Sequence, residues 1–349
     1  MEPLSADNAQ VDEFKRLTGS CDKILITSHI SPDPDALSSV ILLGTTLKEN
    51  YPDKEIQMVI EEEPLGLNFL PHYQEVAYGS ILQSLKSGNT GMLILVDANS
   101  VERVSRTDSS EIRKFIEENN LRTVIIDHHE PVNKDKSDVY INQGSPAAVQ
   151  DVYELCFYTL NYKKPRGYAD VAMAGLYADT NGFSYRNRRH SSTFKLADEL
   201  ITAGADIERI NNLIRQYTFD DMEVLEELIK NVADGNGYTY SFISDEFVKN
   251  WSESGKDGAG LHKGVEIFVN GFIRNIGGNL WGFIAYCNPL HGDKIYSASF
   301  RSVGDAKDVS AIAVSLGGGG HKPAAGAKFA AGSIDDAISK IKDKINTQK

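Results

Sequence analysis

The sequence predicts an α/β protein: a mainly parallel sheet with flanking helices, a helical connector, and a smaller α/β C-terminal domain. Three observations lead there. Apolar runs of strand length alternate with helix-patterned stretches through the first half, and three of those runs end in a carboxylate or an imidazole. Beyond Gly235 the pattern changes to short strands followed by a capped helix. The expected boundaries are 1–190 for a catalytic, metal-binding domain, 191–235 for the connector and 236–349 for a substrate-binding domain.

In chain order, Lys23 to Ser28, Glu55 to Ile60, Gly91 to Ala98 and Arg122 to His128 read as strands. Ala36 to Asn50, Ser109 to Asn120, Pro146 to Leu160 and Tyr168 to Ala178 read as helices between or after them. That order implies strands running the same way under a cover of helices, where ligands collect at the carboxyl ends. From Ser191 to Val232 the pattern is helical, with Ala203-Gly204-Ala205-Asp206 as a stop and restart. Tyr238 to Ile243, Val265 to Ile273, Leu280 to Tyr286 and Lys294 to Phe300 read as strands, and Val309 to Leu316 as a helix. Ser333 caps a last helix whose Ile334, Ile338, Ile341 and Ile345 form a core-facing stripe.

Composition narrows the function classes. With 36 basic against 49 acidic residues the net charge is −13, which argues against a long duplex tracked along a basic face. A short phosphorylated substrate remains open, because bound divalent cations reverse the local field. No signal peptide or membrane span is legible, so no membrane partner is expected. Cys21, Cys156 and Cys287 are scattered and odd in number, which fits a reducing cytoplasm better than a disulfide framework.

The chemistry-bearing residues fall at the strand ends. Ile24-Leu25-Ile26 runs into His29, Asp33 and Asp35; Leu93 to Val96 ends at Asp97; Thr123 to Ile126 ends at Asp127-His128-His129; Asp179 closes a helical stretch. Pro34 disfavours helix at Asp33, so an extended loop would let Asp33 and Asp35 point to one side. Asp97 is placed to bridge two cations at roughly 3.5–4 Å, the spacing that suits phosphoryl displacement. Carboxylates with imidazoles favour Mn2+ or Mg2+ over a thiolate-type zinc site. Singly, each Asp is an ordinary cap or loop residue and a His pair is no more than a coin toss. The conjunction, in a sensible fold order, points to a metal site. The glycines Gly317 to Gly320 before His321 allow backbone N–H groups to converge on an anion, and Arg301 adds a cation. Arg186, Arg188 and Arg189 read as a solvated basic run.

These residues resemble the DHH phosphoesterase superfamily. The likeness rests on His29-Ile30-Ser31-Pro32-Asp33-Pro34-Asp35-Ala36, Val96-Asp97, Asp127-His128-His129 and Gly175 to Phe183, and covers most of residues 20–190. Ser299-Phe300-Arg301-Ser302 and Gly317 to Gly326 look like the DHH-associated C-terminal domain, a pairing similar to nano-RNases and oligoribonuclease-type phosphodiesterases. The resemblance implies His29, Asp33 and Asp97 around one metal ion and Asp35, Asp97, His128 and Asp179 around the other, with His129 as a catalytic residue facing the substrate phosphate. It implies substrate binding by Arg301, Gly318, Gly319, Gly320 and His321. Departures are Ser38, where many members have Gly, and the stretch from Trp251 to Gly278, which carries little of the family pattern.

The expected activity is a divalent-metal-dependent phosphodiesterase hydrolysing short oligonucleotides or linear dinucleotides through a metal-bound hydroxide. A 3′-phosphoadenosine 5′-phosphate phosphatase and a cyclic-dinucleotide phosphodiesterase are the alternatives within enzymes; a nucleotide-binding regulator without turnover is the alternative outside them. A homodimer is compatible with the sequence, which does not decide the oligomeric state.

Overall fold

In the computed structural model, which describes residues 8–64, 66–129, 134–185, 189–289, 292 and 294–347, the apolar runs of the first half form a six-stranded sheet that is parallel throughout. Its elements are α1 (Asn8–Ser20), β1 (Lys23–Thr27), α2 (Pro34–Asn50), β2 (Glu55–Ile60), β3 (Val76–Tyr78), α3 (Ile81–Lys86), β4 (Met92–Val96), α4 (Ser109–Glu118), β5 (Arg122–Ile126) and β6 (Val139–Ile141). Four helices follow: α5 (Ala148–Tyr153), α6 (Tyr168–Asp179), α7 (His190–Thr202) and α8 (Ile207–Ile214). The strand order is β3-β2-β1-β4-β5-β6, so the winding reverses between β1 and β4.

The apolar runs become central strands because both sheet faces are covered. Ile24, Ile26, Ile94 and Ile126 enter one core, while the alternating Leu25, Leu93, Leu95 and Ile125 enter the other. Helix α2 is buried from Asp35 to Leu47, which explains why its sequence reads Val-Ile-Leu-Leu rather than as an amphipathic stripe. Sequence pattern misses α1, α3, β3 and β6: the first is polar on most of its surface, α3 is six residues long and the two strands are three. The helix expected from Pro146 to Leu160 instead starts at Ala148 and passes into a π-helical turn over Glu154–Thr159.

The chain divides into two units between Gln216 and Tyr217. The stretch expected as a connector is therefore shared. Leu196, Leu200 and Ile210 of α7 and α8 join the first core, while Val224 and Leu228 of α9 (Phe219–Lys230) join a core of the second unit. Each helix goes where its apolar side is covered.

The second unit continues with β7 (Ala233–Asp234), β8 (Thr239–Phe242), α10 (Asp245–Glu253), α11 (Gly258–Gly271), β9 (Trp281–Cys287), β10 (Ile295–Ser302), α12 (Val309–Ser315), β11 (Gly319–His321), β12 (Ala324–Ala330) and α13 (Ile334–Asn346). Its sheet has the order β11-β12-β10-β9-β8-β7, antiparallel except for β8 beside β9. The stretch from Val265 to Ile273, expected as a strand, is the second half of α11 instead. Asp257 caps that helix, and Leu261, Val265, Phe268 and Val269 recur at helical spacing and are buried. A short run rich in Val, Ile and Phe fits either element, and the preceding Leu261 and cap decide for the helix. Ser333 does cap α13, with Ile334, Ile338, Ile341 and Ile345 buried. Among the described residues no helix is long and apolar enough to cross a membrane.

Candidate metal centre

The reversal of strand order places the carboxyl ends of β1, β4 and β5 side by side, the crevice where open α/β sheets hold ligands. Strand β1 leads to His29 and Asp33. Asp33 has φ −89° and ψ −178° and caps α2, accepting the Ala36 N–H at 2.9 Å. Pro34 does keep Asp33 extended, but it also takes the first helical position, where its missing N–H costs nothing. Asp35 consequently lies in the first turn of α2, fully buried, rather than in the extended loop that sequence spacing suggests. The two carboxylates therefore serve different groups of side chains.

Three such groups have ligand atoms within 4.8 Å of one another: His29, Asp33 and Asp97; Asp35, His128 and Asp179; and Asp97, His128 and His129. Asp97 is shared by the first and third, and His128 by the second and third. Asp97 Oδ2 is 3.4 Å from His29 Nε2, and its Oδ1 is 3.2 Å from His128 Nε2. His128 Nε2 also lies 3.4 Å from Asp179 Oδ2 and 4.0 Å from Asp35 Oδ2. Asp97 adopts φ 53° while its N–H bonds to Ile126 O at 2.9 Å, so the β4–β5 ladder holds a left-handed aspartate at the strand end.

The donor set fits divalent cations. Asp97 Oδ1 is buried and accepts no hydrogen bond of good geometry, although it faces an imidazole. Burial pushes Asp35 up to about 8, with the nearby Asp97 charge adding to the effect. Burial, then the charges of Asp35 and Asp33, raise Asp179 well above the carboxylate range. Asp97 goes the other way: burial opposes its ionisation, but the close imidazoles of His128 and His29 hold it well below that range. The same contacts raise His29 and His128 against the effect of burial. Clustered carboxylates that resist ionising together are what a cation relieves.

A pH dependence follows. Asp35 keeps its proton to higher pH in the folded chain than an ordinary aspartate does, and the two histidines likewise bind theirs more tightly when folded. All three make the folded state the better proton binder, so stability falls as pH rises from about 5 to about 8. The depressed Asp97 acts in the opposite sense, but only below that window. The melting temperature of chelator-treated protein should therefore decrease across this range, and added manganese should offset the decrease. A melting temperature that climbs with pH in chelator would contradict these ionisations.

Asp127, the first residue of the Asp-His-His motif, is a further site residue. It is buried, and its Oδ1 accepts the His129 Nδ1–H at 2.8 Å, which leaves Nε2 as the ring nitrogen turned to other partners. Gly175 on α6 is a second local requirement. A Cβ there would come within 2.9 Å of Asp35 Oδ1 and 3.0 Å of Ser38 Cβ, so glycine lets α6 approach α2 close enough to bring Asp179 to Asp35. Of the arginine run, Arg186 and Arg188 lie outside the described residues. Arg189 is not a solvated residue: it pairs with Glu154 at 2.8 Å and Asp151 at 3.7 Å.

In the second unit, Arg301 on β10 donates from Nε to Asn270 Oδ1 at 2.8 Å and pairs through Nη2 with Glu266 at 3.2 Å. Arg301 and His321 are both in register with Ala324, on opposite sides of β12, so they stand in one row of the sheet. The glycine run does not form the converging nest expected of it. Gly317 and Gly318 donate their N–H groups to Val314 O and Ala313 O, while Gly319 and Gly320 enter β11. A Cβ on Gly318 would meet Gly326 O at 2.1 Å, and one on Gly320 would meet Ala325 Cα at 2.5 Å. Close approach to β12 is thus what requires glycine at these two positions.

The parallel sheet with histidines and aspartates gathered at its switch point falls where residues 23–176 match the DHH family, N-terminal domain. Two relatives are named bifunctional oligoribonuclease and PAP phosphatase NrnA. The one from Mycoplasma pneumoniae is 27% identical over 313 residues, covering 88% of this chain and 87% of its own. The one from Bacillus subtilis is 26% identical over 332 residues, covering 91% and 92%. Among solved structures, an exopolyphosphatase-related protein from Bacteroides fragilis superposes with TM-score 0.82 at 20% identity, over 98% of this chain and 96% of that one. RecJ from Thermus thermophilus in complex with Mn2+ superposes with TM-score 0.52 at 15% identity, over 99% and 55%. The structural likenesses speak to the fold.

Proposed function

We propose that this chain is a divalent-metal-dependent phosphodiesterase that hydrolyses short oligonucleotides or linear dinucleotides in the cytoplasm. The observation that carries the reading is Asp97, whose two oxygens face two different imidazole–carboxylate groups. His29, Asp33 and Asp97 would hold one cation, and Asp35, Asp97, His128 and Asp179 the other. Manganese is the first choice and magnesium the second, because carboxylates and imidazoles make up the donor set. Cations bound there supply charge neutralisation for the phosphoryl group and acidify a water.

The protein's own residues do the rest. Asp127 holds His129 by Nδ1, so Nε2 is the nitrogen that would face the substrate phosphate and could give a proton to the leaving oxygen. Arg301, prealigned by Asn270 and Glu266, and His321 would bind a phosphate or base of the nucleotide, with the Gly318 to Gly320 strand in the same sheet. The names of the relatives support both an oligoribonuclease and a PAP phosphatase activity for this chain. The free thiols of Cys21, Cys156 and Cys287 suit a reducing compartment.

Chromatography of products tests the proposal. Incubation with manganese and a panel of di- to pentanucleotides, cyclic dinucleotides, 3′-phosphoadenosine 5′-phosphate and pyrophosphate should give mononucleotides from the short linear substrates; binding without turnover of any of them would leave a nucleotide-binding regulator. The substrate grip has its own test. Arg301→Ala and His321→Ala should cripple dinucleotide hydrolysis while largely sparing bis(p-nitrophenyl) phosphate, because only a substrate with a remote part can lose that part's binding energy. Equal loss on both would place these residues in the chemical step or in folding.

A further inference from the structure

Behind His128 lies a buried polar chain that the proposed reaction does not use. His128 turns Nε2 toward Asp35, Asp97 and Asp179, while its Nδ1–H donates to Ser145 O at 3.3 Å. Ser145 is itself held by its hydroxyl, which donates to Asp151 Oδ1 and accepts from Arg189 Nη1 at 2.7 Å. The other Asp151 oxygen accepts the Gln143 N–H at 3.1 Å. Arg189 Nη2 donates to Glu154 Oε2 at 2.8 Å, and Glu154 Oε1 accepts from Gln150 at 2.9 Å. A few residues further along the same segment, the N–H groups of Ala148 and Val149 donate to the two oxygens of Asp35 at 2.6 and 3.0 Å.

We infer that Arg189, acting through Ser145 and Asp151, is a positioning residue for the cation site of Asp35, Asp97, His128 and Asp179; the inference rests on the metal reading above. One segment, Gln143 to Val149, touches two of the four ligands: His128 by a carbonyl and Asp35 by two amides. The carbonyl fixes the proton of His128 on Nδ1, which aims the Nε2 lone pair at the cation position. The amides stabilise Asp35 in its charged form. Asp151 and Glu154 are buried, and burying carboxylates is costly unless they are paired. Arg189 supplies that pairing from the start of α7, and in doing so ties the segment to a second element. Apolar packing could close the segment too, but it would not set the direction of a carbonyl and a hydroxyl.

The test is a calorimetric titration of chelator-treated protein with manganese chloride, compared among wild type, Arg189→Met, Arg189→Lys and Ser145→Ala. Loss of a partner that orients a metal ligand typically weakens affinity by about ten- to a hundredfold. Arg189→Met and Ser145→Ala should each show that loss at one of two manganese sites with the other unchanged, and Arg189→Lys should recover part of it. Unchanged affinity with a lower melting temperature in chelator would make the network purely structural and overturn the inference. Equal weakening of both sites would overturn it as well. Should Arg189→Met fail to fold, Ser145→Ala, which removes only a hydroxyl, decides alone. No manganese binding by wild type would sink the metal reading itself, an outcome distinct from two wild-type sites that the variants leave untouched.

Discussion

Asp97→Asn should lower turnover by about a thousandfold or more, equivalent to roughly 4 kcal/mol of transition-state stabilisation, while leaving the fold intact. Asp97 is fully enclosed, and its two oxygens face His29 on one side and His128 on the other. An amide keeps the shape but removes the charge and replaces one oxygen with a donor. That side cannot ligate a cation, and it would present N–H to an imidazole nitrogen instead of accepting from it. At least one cation should be lost or weakly held. The measurement is a rate on a dinucleotide at limiting manganese, together with metal content and a circular dichroism spectrum. Near-normal activity at limiting manganese would show that Asp97 does not bridge.

The second large effect separates the paired histidines. His129→Ala should keep bound metal and lose about a hundred- to ten-thousandfold in rate, the range for a group that transfers or positions a proton. His128→Ala should instead lower metal occupancy, because its Nε2 lies within 3.4 Å of both Asp97 and Asp179 oxygens. The structural basis for the difference is Asp127. It holds His129 by Nδ1 and so turns that ring away from the ligand role, although His129 Nδ1 also comes within 3.5 Å of Asp97. Equal metal loss in the two variants would refute this division of roles without refuting the site. Asp127→Asn offers an internal check: it should resemble His129→Ala in keeping metal.

How much of this was legible in the sequence depends on distance along the chain. His29, Asp33, Asp97, His128 and Asp179 could be named from sequence because strand ends in a parallel sheet converge, and the runs before them are unmistakably strand-like. Asp35 lies in the cluster but in the first turn of α2 rather than in an extended loop, since Pro34 is equally at home in a loop and at a helix start. The stretch from Val265 to Ile273 was misread for a similar reason: a short run of β-branched and aromatic residues carries no decisive period. The glycine run suggests a backbone nest for an anion, because consecutive glycines mark a special backbone without fixing its kind. Only pairing with β12 shows that a Cβ is excluded by a neighbouring strand rather than by an anion.

By itself, then, the sequence determined the class of fold, the apolar runs that become its strands and a set of candidate cation ligands at their ends. Those properties are written in hydrophobic period and in the side-chain chemistry of single positions. Tertiary structure alone decided the rest: which carboxylate faces which imidazole, that Asp35 is held by the amides of Ala148 and Val149, and that Arg189 reaches back to Ser145 and Glu154. These are pairings between residues separated by tens to more than a hundred positions. Their free energies depend on burial and hydrogen-bond geometry, which exist only once the sheet and its helices have closed around them.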